Sequence, residues 1–283
     1  EQQCPVPGWP AQDGQFQPNQ RDLVPESGDV VDRTTGLTWQ AKDDGKSYTW
    51  ADAQAFCVAF STSSAGAGSW RLPTVVELMT TIDYGKLGPS MDQAFASAQS
   101  TNYWTATPMA GSQMLAWTVK FDAGEIVPLL RDTTMPVRCV RGTLKTTQAP
   151  AGRLRLAGPY TPTDRTVRDD ANSLEWQRRD DGVKRNWREA LDYCARLDLD
   201  GHDDWHLPNN FELLSIVEWN SDEDVKIDPL FEGTHRDIYW SSTFGEGLPT
   251  LSWSVTFNLG VIDGVTITGK GYARCVRHLQ PPA

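Results

Sequence analysis

Apolar residues return at helical spacing in two segments of the first half of the chain, and the same arrangement recurs in the second half. Spacing of three and four residues places apolar side chains on one face of a helix, so two amphipathic helices are predicted in each half. Their apolar faces cover residues 53–60, 75–82, 190–197 and 211–217. Each predicted helix starts with a capping box: Thr49 with Asp52, Thr74 with Glu77, Asn186 with Glu189 and Asn209 with Glu212.

Short β-strands are predicted where β-branched and aromatic residues alternate with polar ones. In the first half these strands cover residues 103–107, 115–121, 125–130 and 137–141, and the second half repeats them. A further short strand precedes the first helix of each half and is followed by an Asp-Asp-Gly turn. Two helices and an antiparallel meander in each half predict an α+β fold.

The repeated pattern reflects a repeated sequence. Trp39 corresponds to Trp176 at an offset of 137 residues, and Cys139 corresponds to Cys275 at an offset of 136. A unit of about 115 residues is large enough to have its own core, so two tandem domains are predicted rather than a solenoid. The predicted division is an extended Pro-rich arm (1–28), a first domain (29–142), a linker (143–163) and a second domain (164–283).

Four of the five cysteines fall at equivalent positions in the two copies. Their positions predict bridges from the first helix to the last strand, Cys57 with Cys139 and Cys194 with Cys275. Such bridges persist in oxidising compartments, so we expect a secreted, periplasmic or cell-surface protein. Reduced core cysteines in a cytosolic protein are the alternative. Cys4 is left over, and we expect an intermolecular disulfide or a free thiol there rather than a lipid.

Charge and hydropathy exclude several classes of function. The net charge of −11 and the absence of a basic run argue against nucleic-acid binding. No apolar stretch approaches the roughly 18 residues that would span a bilayer. The chain starts at Glu1 without a charged and apolar leader, which is typical of a mature form whose signal peptide has been removed.

The sequence lacks the residue patterns of common enzyme sites. It has no nucleophile elbow, phosphate loop or dinucleotide fingerprint, and its histidines form no metal-protease motif. We therefore predict no catalytic residue, no metal site and no cofactor, and we expect that the protein is not an enzyme. Residues 198–204 have acids at a spacing similar to a calcium loop, but the first copy has no acid there. A solvated acidic turn is the favoured interpretation.

Ten of the 12 tryptophans form equivalent pairs, which favours two similar cores over sugar-binding platforms. Arginines flank the last cysteines, Arg138 and Arg141 in the first copy and Arg274 and Arg277 in the second. They could face a ligand, but pairing with the acids of the Asp-Asp-Gly turns is the favoured interpretation. Loops 85–102 and 220–238 differ most between the copies, and loops on a rigid scaffold usually carry specificity. The candidate ligand-binding residues in and beside these loops are Tyr84, Trp219, Asp222, Asp224, His235 and Arg236.

Three motifs carry a resemblance to a known bacterial family. They are Trp-Arg-Leu-Pro at 70–73, Tyr-Trp-Thr-Ala-Thr at 103–107 and Val-Arg-Cys-Val-Arg at 137–141, each with a counterpart in the second copy. On these residues the chain resembles the DUF1566 family, also called the Lcl C-terminal domain after a collagen-like adhesin. The resemblance implies a C-type lectin-like fold on a bacterial surface protein, and the predicted bridges fit the outer disulfide of that fold. The chain has no collagen-like segment, and its lack of positive charge puts glycosaminoglycan binding in doubt.

These observations together predict an extracytoplasmic bacterial binding or adhesion protein. Two lectin-like domains would recognise a glycan or a surface protein through the variable loops. The alternative is a structural subunit of a surface assembly that associates with copies of itself, and the Pro-rich arm motivates it. The charged second loop and the small, polar first loop predict that the two domains do not bind identical ligands.

Overall fold

The computed structural model describes residues 22–143 and 160–279, apart from positions 63, 64, 67, 68, 85, 87 and 246–249. The described residues divide into two compact units, one before residue 144 and one after residue 159. Each unit combines two short helices with antiparallel sheet. The predicted α+β class and the repetition of the fold are therefore confirmed.

The first unit has two sheets. Strands β1, β2, β3 and β7 form an antiparallel sheet in that order, and β4, β5 and β6 form an antiparallel meander. The elements in chain order are β1 (Leu23–Glu26), β2 (Asp29–Asp32), β3 (Thr38–Gln40), α1 (Trp50–Ala59), α2 (Val75–Met79), β4 (Asn102–Pro108), β5 (Leu115–Lys120), β6 (Glu125–Leu130) and β7 (Val140–Arg141).

The second unit repeats this plan. Strands β8, β9, β10 and β14 form one antiparallel sheet, and β11, β12 and β13 form the meander. The elements are β8 (Thr161–Pro162), β9 (Thr166–Asp169), β10 (Leu174–Gln177), α3 (Trp187–Ala195), α4 (Asn210–Ser215), β11 (Ile238–Phe244), β12 (Leu251–Thr256), β13 (Val261–Thr266) and β14 (Val276–His278).

The first sheet begins inside the predicted arm. Strand β1 pairs with β2 through a two-residue turn in which Ser27 and Gly28 have φ values of 51° and 89°. Two consecutive residues with positive φ match the twist of an antiparallel hairpin. Strand β8 likewise lies inside the predicted linker and pairs with β9. The ordered part of each domain therefore extends further towards the N-terminus than the repeated motifs indicate.

The last strand of each unit also differs from the prediction. The sequence pattern of segment 137–141 predicts a continuation of the meander, but β7 covers two residues and pairs with β3 instead. In the second unit β14 pairs with β10 in the same way. The first and last parts of each domain are thus joined in one sheet, and the cysteine just before the last strand is placed beneath the first helix.

The four helices begin where the capping residues predict. Reciprocal capping-box bonds are present at α2, α3 and α4, and the Thr49 side chain accepts from the backbone of Asp52 at α1. Helices α2 and α4 are shorter than their apolar patterns. Thr80 and Ser215 donate their hydroxyls to the carbonyls three residues earlier, and such bonds compete with continued helix.

The two cores explain the duplicated tryptophans and cysteines. All ten paired tryptophans are buried except Trp50, which is half-buried, so their interpretation as core residues is confirmed. Both predicted disulfides are present, Cys57–Cys139 and Cys194–Cys275, each with Cα atoms 5.4 Å apart. Each disulfide lies among the tryptophans of its own core.

Candidate functional site

A buried tyrosine, aspartate and arginine lie together beneath loop 85–102 of the first unit. Tyr103 donates its hydroxyl to Asp43 Oδ2 at 2.7 Å, and Arg138 Nη2 lies 3.6 Å from the same oxygen. Arg138 is fully buried and also donates to the carbonyls of Gln40 and Ala41, at 2.8 Å each. A buried charge is tolerated only when it is paired and hydrogen-bonded, and this arginine meets both conditions.

The second unit contains the same three residue types in the same arrangement. Tyr239 donates to Asp180 Oδ2, and Arg274 Nη2 lies 3.4 Å from that oxygen. Arg274 also donates to Thr234 Oγ1 at 2.8 Å, which lies in loop 220–238. The predicted pairing of these arginines with the acids of the Asp-Asp-Gly turns is confirmed for Arg138 and Arg274.

The other two arginines have different partners. Arg141 lies 3.4 Å from Asp29, and Arg277 lies 2.7 Å from Glu175 and 2.6 Å from Asp204. None of these acids belongs to an Asp-Asp-Gly turn, so the prediction is wrong for these two side chains. The reason is that they stand in the last strand, which pairs with β3 or β10, whereas Arg138 and Arg274 lie against the Asp-Asp-Gly turn.

The electrostatics of the buried triad favour a neutral phenol at Tyr103. Burial and, next to it, the hydrogen bond to Asp43 raise the pKa of Tyr103 to about 12, although the charge of Arg138 acts in the opposite direction. Burial lowers the pKa of Arg138, while Tyr103 and Asp43 act in the opposite direction. All three side chains are buried, so the triad is a structural anchor that exposes no group to a ligand.

The variable loops rest on this anchor. The backbone N–H of Gln99 donates to the Tyr103 hydroxyl at 3.0 Å, and that of His235 donates to the Tyr239 hydroxyl at 2.8 Å. Each loop also buries a phenylalanine against the arginine, Phe95 in the first unit and Phe231 in the second. Both loops are thus fixed at equivalent points, although their exposed residues differ.

Four of the predicted ligand-binding residues lie in loop 220–238. Arg236 pairs with Asp224 at 3.1 Å, and both side chains are well exposed, as is Asp222. His235 stacks on Tyr272 with ring centroids 3.9 Å apart and an interplanar angle of 7°. We refer to His235, Arg236, Asp224 and Tyr272 as the loop surface of the second unit. It combines a flat aromatic stack with exposed charges of both signs.

The remaining predicted contacts are placed differently. Trp219 is 5% exposed and lies in the core, where it presents little ring surface to solvent. Tyr84 is half-buried and donates its hydroxyl to the carbonyl of Gly124 at 3.2 Å. Both positions support the fold around the end of the second helix. Cys4 lies outside the described residues.

The acids of segment 198–204 do not converge on a common point. Asp200 pairs with Arg165 at 3.2 Å, and Asp204 pairs with Arg277 through two contacts of 2.6 and 3.2 Å. A turn between Leu199 and His202 separates them. The segment is an exposed acidic turn with arginine partners, consistent with the interpretation favoured from the sequence.

Three other residues bring potential metal ligands together in the second unit. His206, Glu212 and His278 each direct one ligand atom into a group in which all these atoms lie within 4.8 Å of one another. Burial raises the pKa of Glu212, but the two histidines and the Asn209 backbone outweigh it, and the net pKa is lowered. Burial also lowers the pKa of the His278 imidazole. No sequence motif indicated this group. The one available signal was a difference between the copies, because His206 and His278 stand where the first copy has Arg71 and Gly142.

The comparison with protein families agrees with the repeated fold. The profile described as Lcl C-terminal domain matches residues 28–141 and again residues 165–277. The chain belongs to the Lcl C-terminal domain family. No curated protein matches the chain. Within the part of the chain that the structure describes, no helix has the length and apolar character needed to cross a membrane.

The two Lcl C-terminal domains also differ beside their first helices. In the first domain, Tyr48 stacks on Phe56 with ring centroids 4.8 Å apart, and both line a shallow cleft of about 560 Å³. In the second domain the equivalent residues are Arg185 and Tyr193, and the Arg185 guanidinium lies 4.0 Å above the Tyr193 ring. The two domains therefore share a core and differ in the chemistry of two surfaces.

Proposed function

We propose that this chain is an extracytoplasmic binding or adhesion protein, whose two domains recognise glycan or protein ligands through loops 85–102 and 220–238. One observation carries the proposal. Both loops are held by the same buried anchor of tyrosine, aspartate and arginine, yet they expose different residues. A rigid base under a variable surface is the usual arrangement of a recognition site.

The proposed location and fold rest on the disulfides and the sheet. Each domain has a bridge between its first helix and the segment before its last strand, and such bridges persist in oxidising compartments. In each domain the last strand joins the sheet formed by the strands that precede the first helix, and this closure together with the bridge supports a C-type lectin-like fold for both domains. We propose binding rather than catalysis, since the side chains of the triad are buried and hydrogen-bonded to one another and to the backbone.

The loop surface of the second domain is the better candidate for recognition. The stacked rings of His235 and Tyr272 offer a flat face, and Arg236 and Asp224 offer hydrogen-bond donors and acceptors beside it. Binding sites typically combine an aromatic surface with a few polar groups that fix the orientation of the ligand. The corresponding loop of the first domain is small and polar, so we propose different ligands for the two domains.

A glycan array and a pull-down of surface proteins test this function. We expect His235→Ala and Arg236→Ala to weaken the binding found by either method by tenfold or more. The matched control is Arg168→Ala, because Arg168 also forms an exposed ion pair, with Asp170, on β9. The melting temperature should stay unchanged in Arg236→Ala and Arg168→Ala, since exposed ion pairs contribute about 1 kcal/mol or less. His235→Ala also removes the stack on Tyr272 and the 3.5 Å contact with Asp180, so its melting temperature is measured beside its binding.

Two outcomes would contradict the proposal. One is the absence of any binding at high micromolar concentration in both methods. The other is binding that survives both loop variants unchanged. The alternative of a structural subunit depends on the predicted arm, of which residues 1–21 lie outside the described part of the chain, and it stays a prediction from the sequence. Negative-stain images that show regular polymers would favour it.

A further inference from the structure

We infer that the second domain binds a divalent transition-metal ion, with zinc as the best match, on His206, Glu212 and His278. These residues come from three places in the fold: the segment before α4, the first turn of α4, and the end of β14. Imidazole nitrogen and carboxylate oxygen are the ligands that zinc commonly takes from histidine and glutamate.

The distances within the group favour ligands around an ion. His206 Nε2 lies 3.3 Å from each Glu212 oxygen, and His278 Nε2 lies 3.4 Å from Oε1. An N–H···O hydrogen bond is usually about 2.9 Å long. By contrast, two ligand atoms bound to the same tetrahedral zinc ion at about 2.0–2.1 Å stand roughly 3.3 Å apart. Each imidazole nitrogen is therefore spaced from the carboxylate as ligands of one ion are, and all the ligand atoms lie within 4.8 Å of one another.

The first domain provides a matched comparison. There Arg71 forms two short contacts with Glu77, of 2.6 and 2.7 Å, and also donates to the carbonyl of Gly142. In the second domain the arginine is replaced by His206, and the glycine is replaced by His278. The buried glutamate thus loses its permanent positive partner and gains two nitrogen ligands. A bound cation would restore the charge balance that a buried carboxylate requires.

The surrounding backbone fixes the ligands before any ion binds. Glu212 Oε2 accepts from the Asn209 backbone at 2.8 Å, as part of the capping box of α4. The backbone of His206 pairs with that of Val276 through bonds of 2.8 and 3.0 Å, which places its ring beside His278. The two imidazole centroids lie 5.2 Å apart. Contacts that orient the ligands in this way typically raise metal affinity.

The site is accessible from one side. The side chains of His206 and Glu212 are 3% and 2% exposed, whereas that of His278 is 29% exposed. An ion would enter past His278, the most accessible of the three ligands. Three protein ligands leave a fourth position of a tetrahedral ion for water or for a donor atom of a bound ligand. The site does not depend on the proposed function of the loops.

The test is a titration of the full chain, after treatment with a chelator, with Zn²⁺ and separately with Co²⁺. We expect one Zn²⁺ per chain by calorimetry, and visible absorption bands of tetrahedral type with Co²⁺. Zn²⁺ should also raise the melting temperature, because an ion that binds the folded state stabilises it. His278→Ala should weaken Zn²⁺ binding by tenfold or more.

The control is the double variant His206→Arg with His278→Gly, which recreates the residues of the first domain. We expect it to fold with an unchanged or higher melting temperature and to bind no Zn²⁺, since the introduced guanidinium would pair with Glu212 as Arg71 pairs with Glu77. Absence of saturable Zn²⁺ uptake by the parent protein would overturn the inference. Uptake that persists in the double variant would also overturn it, because the ion would then lie elsewhere.

Discussion

The hydroxyl of Tyr103 donates to Asp43 Oδ2 at 2.7 Å, although 60 residues separate them in the chain. The other oxygen of Asp43 accepts from the backbone of Gly45 at 3.1 Å, within the Asp-Asp-Gly turn. One carboxylate therefore closes a turn and also anchors a strand tyrosine. Asp180 does the same with Tyr239 and Gly182 in the second domain. A motif that looks like an ordinary turn in the sequence is part of the base of a variable loop.

Replacing Tyr103 by phenylalanine should destabilise the first domain. The variant keeps the ring but leaves the buried Asp43 with one partner fewer, and the Gln99 backbone loses its acceptor. We expect the free energy of unfolding to fall by about 1–3 kcal/mol, the usual cost of an unsatisfied buried group. Urea denaturation of the full chain measures it, and Tyr239→Phe should give a similar loss. A change near zero would mean that the anchor contributes little.

The raised pKa of Tyr103 predicts that the first domain loses stability at alkaline pH. That pKa is raised to about 12 by burial and by Asp43, against about 10 in the unfolded chain. The folded state therefore prefers the neutral phenol, so the stabilisation is complete below pH 10 and is lost as pH rises through 12. The decline should be at most about 1.4 kcal/mol per pH unit for this group. Tyr103→Phe should show a shallower decline; parallel curves for the two proteins would argue against the shift.

Position 124 requires a glycine because of its backbone conformation and because of the side chains packed beside it. Its φ is +95°, and a Cβ there would lie 2.6 Å from Tyr84 Cε1 and 2.8 Å from Ile82 Cγ2. Gly28 also has a positive φ, of +89°, but a Cβ there meets nothing within 4 Å. Both alanine variants carry backbone strain, and only Gly124→Ala adds a clash. We expect Gly124→Ala to destabilise by about 1–3 kcal/mol more than Gly28→Ala in thermal denaturation. Equal losses would show that Tyr84 moves aside freely.

The two disulfides should contribute equally to stability. They close loops with sequence separations of 82 and 81 residues, so the chain-entropy model assigns roughly 4 kcal/mol to each. Replacing both cysteines of one bridge by alanine should lower the melting temperature of that domain and leave the other bridge intact. Differential scanning calorimetry of the two double variants measures the losses. A clear loss in one of the two double variants with none in the other would contradict the equivalence of the bridges.

Local features of the fold were predictable because their partners lie close in the sequence. A capping residue such as Thr74 bonds to the backbone of the residue three positions later, so the motif and the structure coincide. The duplicated cysteines and tryptophans were predictable for another reason. The two copies in this chain show which positions both cores share, and the structure buries nearly all of the shared cysteines and tryptophans.

Features that depend on long-range pairing were not predictable. Strand β7 pairs with β3 rather than with the meander, and alternation of residue types along a strand does not specify its neighbour. The lack of a matching tryptophan in the first copy indicates Trp219 as a ligand contact, yet the packing after α4 places it in the core. Sequence position at a loop does not determine which way a large side chain faces.

The grouping of His206, Glu212 and His278 shows the same contrast between local and long-range features. The sequence by itself determined that Glu212 caps α4 and that both histidines differ from the first copy. Only the tertiary structure decided that they meet, because the backbone of His206 pairs with Val276 and so brings the end of β14 to the start of α4. Side chains from distant segments converge through the register of paired backbones, and that register is a property of the folded domain.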